Sequence, residues 1–225
     1  MATVWAAALL LLLGLVPVTL GQVNCPPRCL CFRTTVRCMF LGLKQLPQVP
    51  ASTTILDLRF NEIEHLPPGS FLRMRNLNTL LLNNNKIGQL NKGTFAGLDD
   101  LRYLYMYKNR IRHIDSEAFH DMPKLEQLYL HYNYIEDVSA ETFSNPTVHR
   151  AFLHNNKLQR IPYGAFSNLT SLKRLRLDSN ALICDCRMLW LAHMLKEHAS
   201  RSVASATCQE PAELNGRSIA DIEDQ

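Results

Sequence analysis

No block of like charge interrupts the 225 residues, and the formal net charge is only +4. So mild a basic bias suits acidic partners without requiring nucleic acid. No glycine-rich phosphate loop and no nucleophile elbow occurs, which removes the common nucleotide-binding and serine-hydrolase chemistries. Beyond residue 21 no apolar run is long enough to cross a bilayer, which takes about 20 residues. The first apolar run, Val4–Leu20, lacks the basic flank of a typical leader. It is otherwise leader-like: charge-free, with consecutive leucines from Leu9 to Leu13, and closed by the small residues Thr19 and Gly21. Residues 1–21 therefore read as a secretory signal peptide cut near Gly21 and Gln22. An uncleaved membrane anchor is the alternative, for which the run is short. The mature chain is then expected outside the cell, in the extracellular space or matrix, with no membrane span. A content of 47% hydrophobic and 20% charged residues is that of a globular chain.

What is present is one phrase written six times. Asn61, Asn85, Asn109, Asn133, Asn156 and Asn180 follow one another at steps of 24, 24, 24, 23 and 24 residues. Each lies in L-x-L-x-x-N-x-(I/L), as in Leu80, Leu82, Asn85 and Ile87, with one leucine replaced in some copies. Five copies place a phenylalanine ten residues after the asparagine: Phe71, Phe95, Phe119, Phe143 and Phe166. This period and consensus are the signature of the leucine-rich repeat. Alternating apolar residues suit a strand with one face inward, and one such strand cannot bury that face alone. Stacked copies form a parallel sheet over a continuous core. The fold class is therefore α/β: a curved, horseshoe-like solenoid with its parallel sheet on the concave face. The asparagines should form a ladder that pairs turn backbone groups, and the phenylalanines a column under the convex side. All of these residues are scaffold.

The raw ends of such a stack need closing, and both ends carry cysteine. Cys25, Cys29, Cys31 and Cys38 lie within fourteen residues. In an oxidising compartment they read as disulfides, with three pairings open; zinc is disfavoured, because paired C-x-x-C units are missing. At the other end stand Cys184, Cys186 and Cys208. Between them, apolar Leu191, Met194 and Leu195, with His198, predict a helix over Arg187–His198, with Trp190 plugging the open core. The spacings resemble the flanking caps of extracellular leucine-rich repeat proteins. That resemblance implies the pairs Cys25–Cys31, Cys29–Cys38 and Cys184–Cys208. It leaves Cys186 as a possible free thiol, because the fourth cysteine of such a cap is missing. A cut chain, with that partner shortly beyond Gln225, is the expectation; an intermolecular disulfide is the alternative. The organisation expected is thus a signal peptide over 1–21, an N-terminal cap over 22–54, six repeats over 55–182 and a truncated C-terminal cap over 183–225.

The phrases go beyond the generic repeat. Cys29–Met39 (CLCFRTTVRCM), Leu56–Asn61 (LDLRFN), Asn76–Asn85 (NLNTLLLNNN), Phe152–Lys157 (FLHNNK) and Leu172–Asn180 (LKRLRLDSN) together resemble the N-terminal leucine-rich region of the peroxidasin family. The likeness covers roughly Cys25 to Ile222. It implies a larger parent, with immunoglobulin domains and a haem peroxidase that uses hydrogen peroxide and halide to cross-link collagen IV. None of those segments is in this chain, so no cofactor is expected here; haem enters only if the parent is a full-length member of the family. Inside the likeness the fourth repeat is one residue short, around Ser144–Val148. Pro146 and Thr147 there stand where other copies have Leu or Met and a linker, so a tighter turn and a kink are expected.

With the cysteines committed to caps, a Cys–His nucleophile is not expected, and the chain itself reads as a non-enzyme. His131 and His154 hold equivalent positions in neighbouring repeats, where two imidazoles could share a metal; exposed binding-face residues are the preferred reading, and no metal is expected. Residues between and just after the paired leucines should point out of the concave sheet. Those columns gather Tyr105, Tyr107, Tyr129, His131, Phe152 and His154, with Arg174 and Arg176 beside them, into a candidate partner-binding face. Asn168-Leu169-Thr170 is the one N-x-S/T site without proline and a candidate for N-glycosylation. The function this supports is an extracellular module that binds matrix or cell-surface proteins, or sulfated glycans. The alternatives are a fragment of a secreted haem peroxidase active in matrix organisation, and a plain structural spacer.

Overall fold

The structure, a computed structural model, describes residues 25–198 and 203–222. The signal peptide read over 1–21 lies outside them. Strands β1 (Leu30–Phe32), β2 (Thr35–Arg37), β3 (Ile55–Asp57), β4 (Thr79–Leu81), β5 (Gln89–Leu90), β6 (Tyr103–Tyr105), β7 (His113–Ile114), β8 (Gln127–Tyr129), β9 (Arg150–Phe152), β10 (Arg174–Arg176) and β11 (Val203–Ser205) follow in chain order, with helix α1 (Leu189–His198) before the last. Nine of them form one sheet, ordered β1-β2-β3-β4-β6-β8-β9-β10-β11. Only the β1–β2 pair is antiparallel; β5 and β7 pair separately. Equivalent residues face one another across the parallel pairs, Leu56 with Leu80 and Leu80 with Leu104. The alternation in the sequence is what sets this register: Leu80, Leu82, Leu104 and Met106 are all fully buried, and a one-residue slip would turn them to water.

Each repeat asparagine holds its neighbour. Nδ2 of Asn109 donates to Leu82 O and Met106 O, both at 3.0 Å, and its Oδ1 accepts the Ile87 N–H at 3.1 Å. Asn85, Asn133, Asn156 and Asn180 repeat this pattern one step along. Asn61 turns its amide on the front cap, donating to Cys38 O and accepting from the Leu41 and Leu43 N–H groups. The expected ladder is therefore an inter-repeat one: a buried turn carbonyl such as Leu82 O takes one bond from its own asparagine and one from the next. The residue before each asparagine is left-handed, with φ of 54–59° at Phe60, Asn84, Lys108, Tyr132, Asn155 and Ser179. None is glycine, so nothing local marks the turn; the asparagine bonds on either side hold a backbone that L residues disfavour.

The phenylalanines form the expected column, with ring centroids 6.1, 6.0, 6.2 and 5.4 Å apart from Phe71 through Phe166. On the sheet side, equivalent stacked rings are 4.5–4.6 Å apart. The longer spacing on the phenylalanine side makes the solenoid curve, with the sheet on the inner, concave side. The connections across the convex side are turns, and α1 is the one α-helix among the described residues.

The short fourth repeat does not break the register: Gln127, Leu128 and Tyr129 still face Arg150, Ala151 and Phe152. Asn145, not Pro146 or Thr147, takes the buried place of Met74, Leu98, Met122 and Leu169, and its Nδ2 donates to Phe119 O and Met122 O. Thr147 Oγ1 donates to Leu125 O. These bonds to the preceding repeat absorb the missing residue, and the closer Phe143–Phe166 spacing is its trace: a local flattening in place of a kink.

Three disulfides join Cys25 to Cys31, Cys29 to Cys38 and Cys184 to Cys208, the pairs that the cap resemblance implies. Cys186 is exposed and unpaired. The back cap differs from expectation in two ways. A 3-10 turn, Cys186–Met188, precedes α1 and is capped by the Asp185 carboxylate. Trp190 does not plug the core; it is half-buried, edge-on to exposed Tyr163 at 5.8 Å. Met188, Leu191, Ala192 and Leu195 close the core instead. One helical turn separates Leu191 and Leu195, so both face the same way, whereas Trp190 is rotated off that stripe.

Candidate functional site: the concave face

The strand alternation that sends leucines inward sends the intervening residues out. Parallel register then lines those residues up as columns. One runs Asp57, Leu81, Tyr105, Tyr129, Phe152, Arg176, and its neighbour runs Arg59, Asn83, Tyr107, His131, His154, Asp178. In the middle of the face the rings touch. Tyr105 stacks on Tyr129 at 4.6 Å, and Phe152 meets Tyr129 edge-on at 5.0 Å. Tyr107, His131 and His154 form a second stack at 4.6 and 4.5 Å. The structure thus brings together Tyr105, Tyr107, Tyr129, His131, Phe152 and His154, and Arg174 lies over the Phe152 ring at 5.5 Å.

Three expectations for this face change. His154 is buried, at 7% exposure, and His131 is half-buried, so the imidazoles are not the open surface expected. Stacking between repeats closes their ring faces and leaves both Nδ1 atoms buried without a partner. Near-parallel rings, 8° apart, hold their in-plane lone pairs side by side and do not converge on one ion at the roughly 2 Å that metal–imidazole bonds need. The tyrosines and Phe152 are half-buried rather than fully facing water, so a partner would meet ring edges and hydroxyls. Arg176 is not free: it grips Asp178 through two bonds, at 3.0 and 2.7 Å, and Ser205 donates to the same carboxylate. Burial alone would raise the Asp178 pKa, but the Arg176 and Ser205 bonds outweigh it and hold the carboxyl below its ordinary range.

The face carries a third column, Thr79, Tyr103, Gln127, Arg150 and Arg174, two residues upstream of the first, of which only Arg174 was expected there. The same alternation, extended by one period, points to it. Gln127 accepts the Tyr129 hydroxyl at 2.6 Å. Burial, then the neighbouring Tyr129, Tyr103 and Tyr107 hydroxyls, push the Tyr105 hydroxyl pKa up, with Arg150 pulling weakly the other way. The Tyr105 hydroxyl therefore stays protonated and can donate to a partner. Lys108 and Tyr132, from the left-handed turn positions, border the face, with the Lys108 ammonium 5.9 Å from the Tyr132 ring centre. Asn168 and Thr170 lie exposed in a convex connection, away from the concave columns.

The histidines give the face a pH signature. Burial, and after it the charges of His154, Arg176 and Lys108, pull the His131 pKa from its ordinary 6.5 down to about 4. Burial and Arg176 lower His154 too, against Asp178. A folded-state pKa below the unfolded value means that the unfolded chain binds the extra proton. The stability so held is complete above pH 6.5 and is lost as pH falls toward 4. A shift of this size corresponds to about 3 kcal/mol, and screening at an open face reduces that to about 1–2 kcal/mol. Denaturant unfolding from pH 7 to 4.5 should show this loss, and the variant H131Q should lose less; equal slopes for the two proteins would refute the assignment.

The capped stack of parallel strands, asparagine ladder and ringed concave face define a leucine-rich repeat solenoid. The Leucine rich repeat family model matches residues 51–111 and 106–148. The chain is 60% identical to Peroxidasin homolog of Mus musculus over 202 residues, 88% of this chain and 14% of that protein. It is 59% identical to Peroxidasin homolog of Homo sapiens over 202 residues, with the same shares, and 56% identical to Probable oxidoreductase PXDNL of Homo sapiens over 206 residues, 90% of this chain and 14% of that protein. The chain thus resembles the N-terminal leucine-rich region of the peroxidasins and spans about one-seventh of the length of these relatives. Its described residues form a leucine-rich repeat region with its two caps. Among the described residues, no helix is long and apolar enough to cross a membrane.

Proposed function

We propose that this chain is an extracellular binding module whose concave aromatic face docks protein components of the matrix or the cell surface. The observation that carries the reading is the grouping of Tyr105, Tyr107, Tyr129 and Phe152 on adjacent strands with their edges open. Rings that only braced the sheet would contribute about 0.2–1 kcal/mol per pair, and that small gain does not require four of them on a solvent-side surface. Aromatic and arginine groups set in such clusters are typical binding hot spots. The cysteine-bridged caps support a location outside the cell, where disulfides persist. The double substitution Tyr107→Ala with Tyr129→Ala should lower attachment to deposited extracellular matrix by roughly tenfold or more while cooperative melting persists. Undiminished attachment by a folded variant would dismiss the concave face.

A second reading is favoured by the 14% coverage of the peroxidasin relatives. The module would be the front part of a longer secreted oxidoreductase, guiding a haem peroxidase segment to its matrix substrate. Haem would then belong to that segment, and the solenoid would act by placement.

A further inference from the structure

Both carboxylates on the concave columns are internally neutralised. Asp57 is held by Arg59 through two bonds, at 2.9 and 2.8 Å, and Asp178 is held by Arg176 and Ser205. The third column is different. Arg150 and Arg174 face each other in register across β9 and β10, on strands roughly 4.8 Å apart, and Lys173 precedes Arg174. All three side chains are exposed, and among the described residues none has a carboxylate partner. Glu126, one residue before Gln127 of this column, is already paired with Arg102. Two uncompensated guanidinium groups thus lie side by side at the C-terminal end of the sheet, with the exposed Lys173 ammonium next to them in sequence, and the Phe152 ring fixes the Arg174 guanidinium in place. Unfavourable self-repulsion of this kind is relieved by a dense anion.

We infer that this flank, Arg150, Lys173 and Arg174, is a binding site for a sulfated polysaccharide of the glycosaminoglycan kind. Guanidinium forks match the paired oxygens of a sulfate group. An acidic protein segment suits the flank less well. Protein interfaces rely on a buried apolar anchor, and Arg150, Lys173 and Arg174 are three exposed charged side chains that supply none of their own. A polyanion needs no such anchor and can run along the flank beside the aromatic face. The inference shares the concave surface with the proposed function but uses other residues, so the two can fail separately.

Heparin is the probe. For three ionic contacts with a polyanion, affinity should fall about thirtyfold between about 50 and 200 mM salt. The double variant R150A/R174A should bind heparin about tenfold more weakly at the low-salt end, with a salt slope smaller by about two. Y107A/Y129A should bind heparin like the parent chain. R73A/R110A, which removes two exposed cations outside the flank, should also match the parent. Desulfated heparin and polyglutamate should compete poorly. Heparin binding by R150A/R174A equal to that of the parent, or equal competition by polyglutamate, would overturn the site. Neither outcome would touch the attachment test of Tyr107 and Tyr129. Loss of that attachment alongside intact heparin binding would in turn separate the two surfaces.

Discussion

Replacing Asn109 by alanine is expected to destabilise the chain by about 3–4 kcal/mol, more than any surface substitution of similar size. The side chain is 5% exposed and makes three bonds, two to the preceding repeat and one within its own. The loss is uneven. Leu82 O and Met106 O each keep a second donor, from Asn85 and Asn133. The Ile87 N–H keeps nothing, since Asn109 Oδ1 is its acceptor; a buried N–H without an acceptor costs about 1–3 kcal/mol by itself. The left-handed turn at Lys108 loses its support as well. In a domain of this size the midpoint of thermal unfolding should drop by roughly 6–15 °C. Asn76→Ala, on the exposed surface, should stay within about 0.5 kcal/mol of the parent. Circular dichroism melts of both variants decide it: if Asn109→Ala melts with Asn76→Ala, the ladder is not what holds the repeats together.

Phe119→Ala should be larger still, about 3–5 kcal/mol. Phe119 is 1% exposed and stacks on Phe95 and Phe143 at 6.0 and 6.2 Å. Its removal leaves a cavity between two repeats on the convex side, and a solenoid repeat has only its neighbours to lean on. Phe119→Leu should recover most of the loss, to within about 1.5 kcal/mol of the parent. Tyr129→Ala, also in a ring stack but on the concave side, should cost only about 1 kcal/mol. The contrast matters for function. Were Tyr129→Ala to destabilise as strongly as Phe119→Ala, the concave rings would be core by another name and the binding proposal would lose its ground. Chemical denaturation of the three variants supplies the comparison.

The repeat, its period and its inward leucines were open to inspection in the chain alone, because Leu80, Asn85 and Phe95 recur with their equivalents at one spacing and each copy needs the next to bury its apolar face. The concave columns followed from the same alternation. The ladder's direction did not: each asparagine bonds the repeat before it as well as its own, and that requires the repeats to be stacked. Nor did the left-handed turns at Lys108 or Tyr132, where no glycine announces a positive φ. The short fourth repeat looked like a kink in the chain, yet Asn145 turns inward and bonds the preceding repeat, and the register holds. Exposure was decided last. His154 reads as a surface residue by its place in the strand, but stacking on His131 buries it, and Asp178 draws Arg176 out of the basic flank. Trp190, the largest apolar residue of the back cap, gave way to Leu191 and Leu195, which share a helix face. Spacing along a chain tells which side of a strand a residue takes; how much water reaches it depends on the neighbours that stacking places within about 5 Å, and those come from repeats more than twenty residues away.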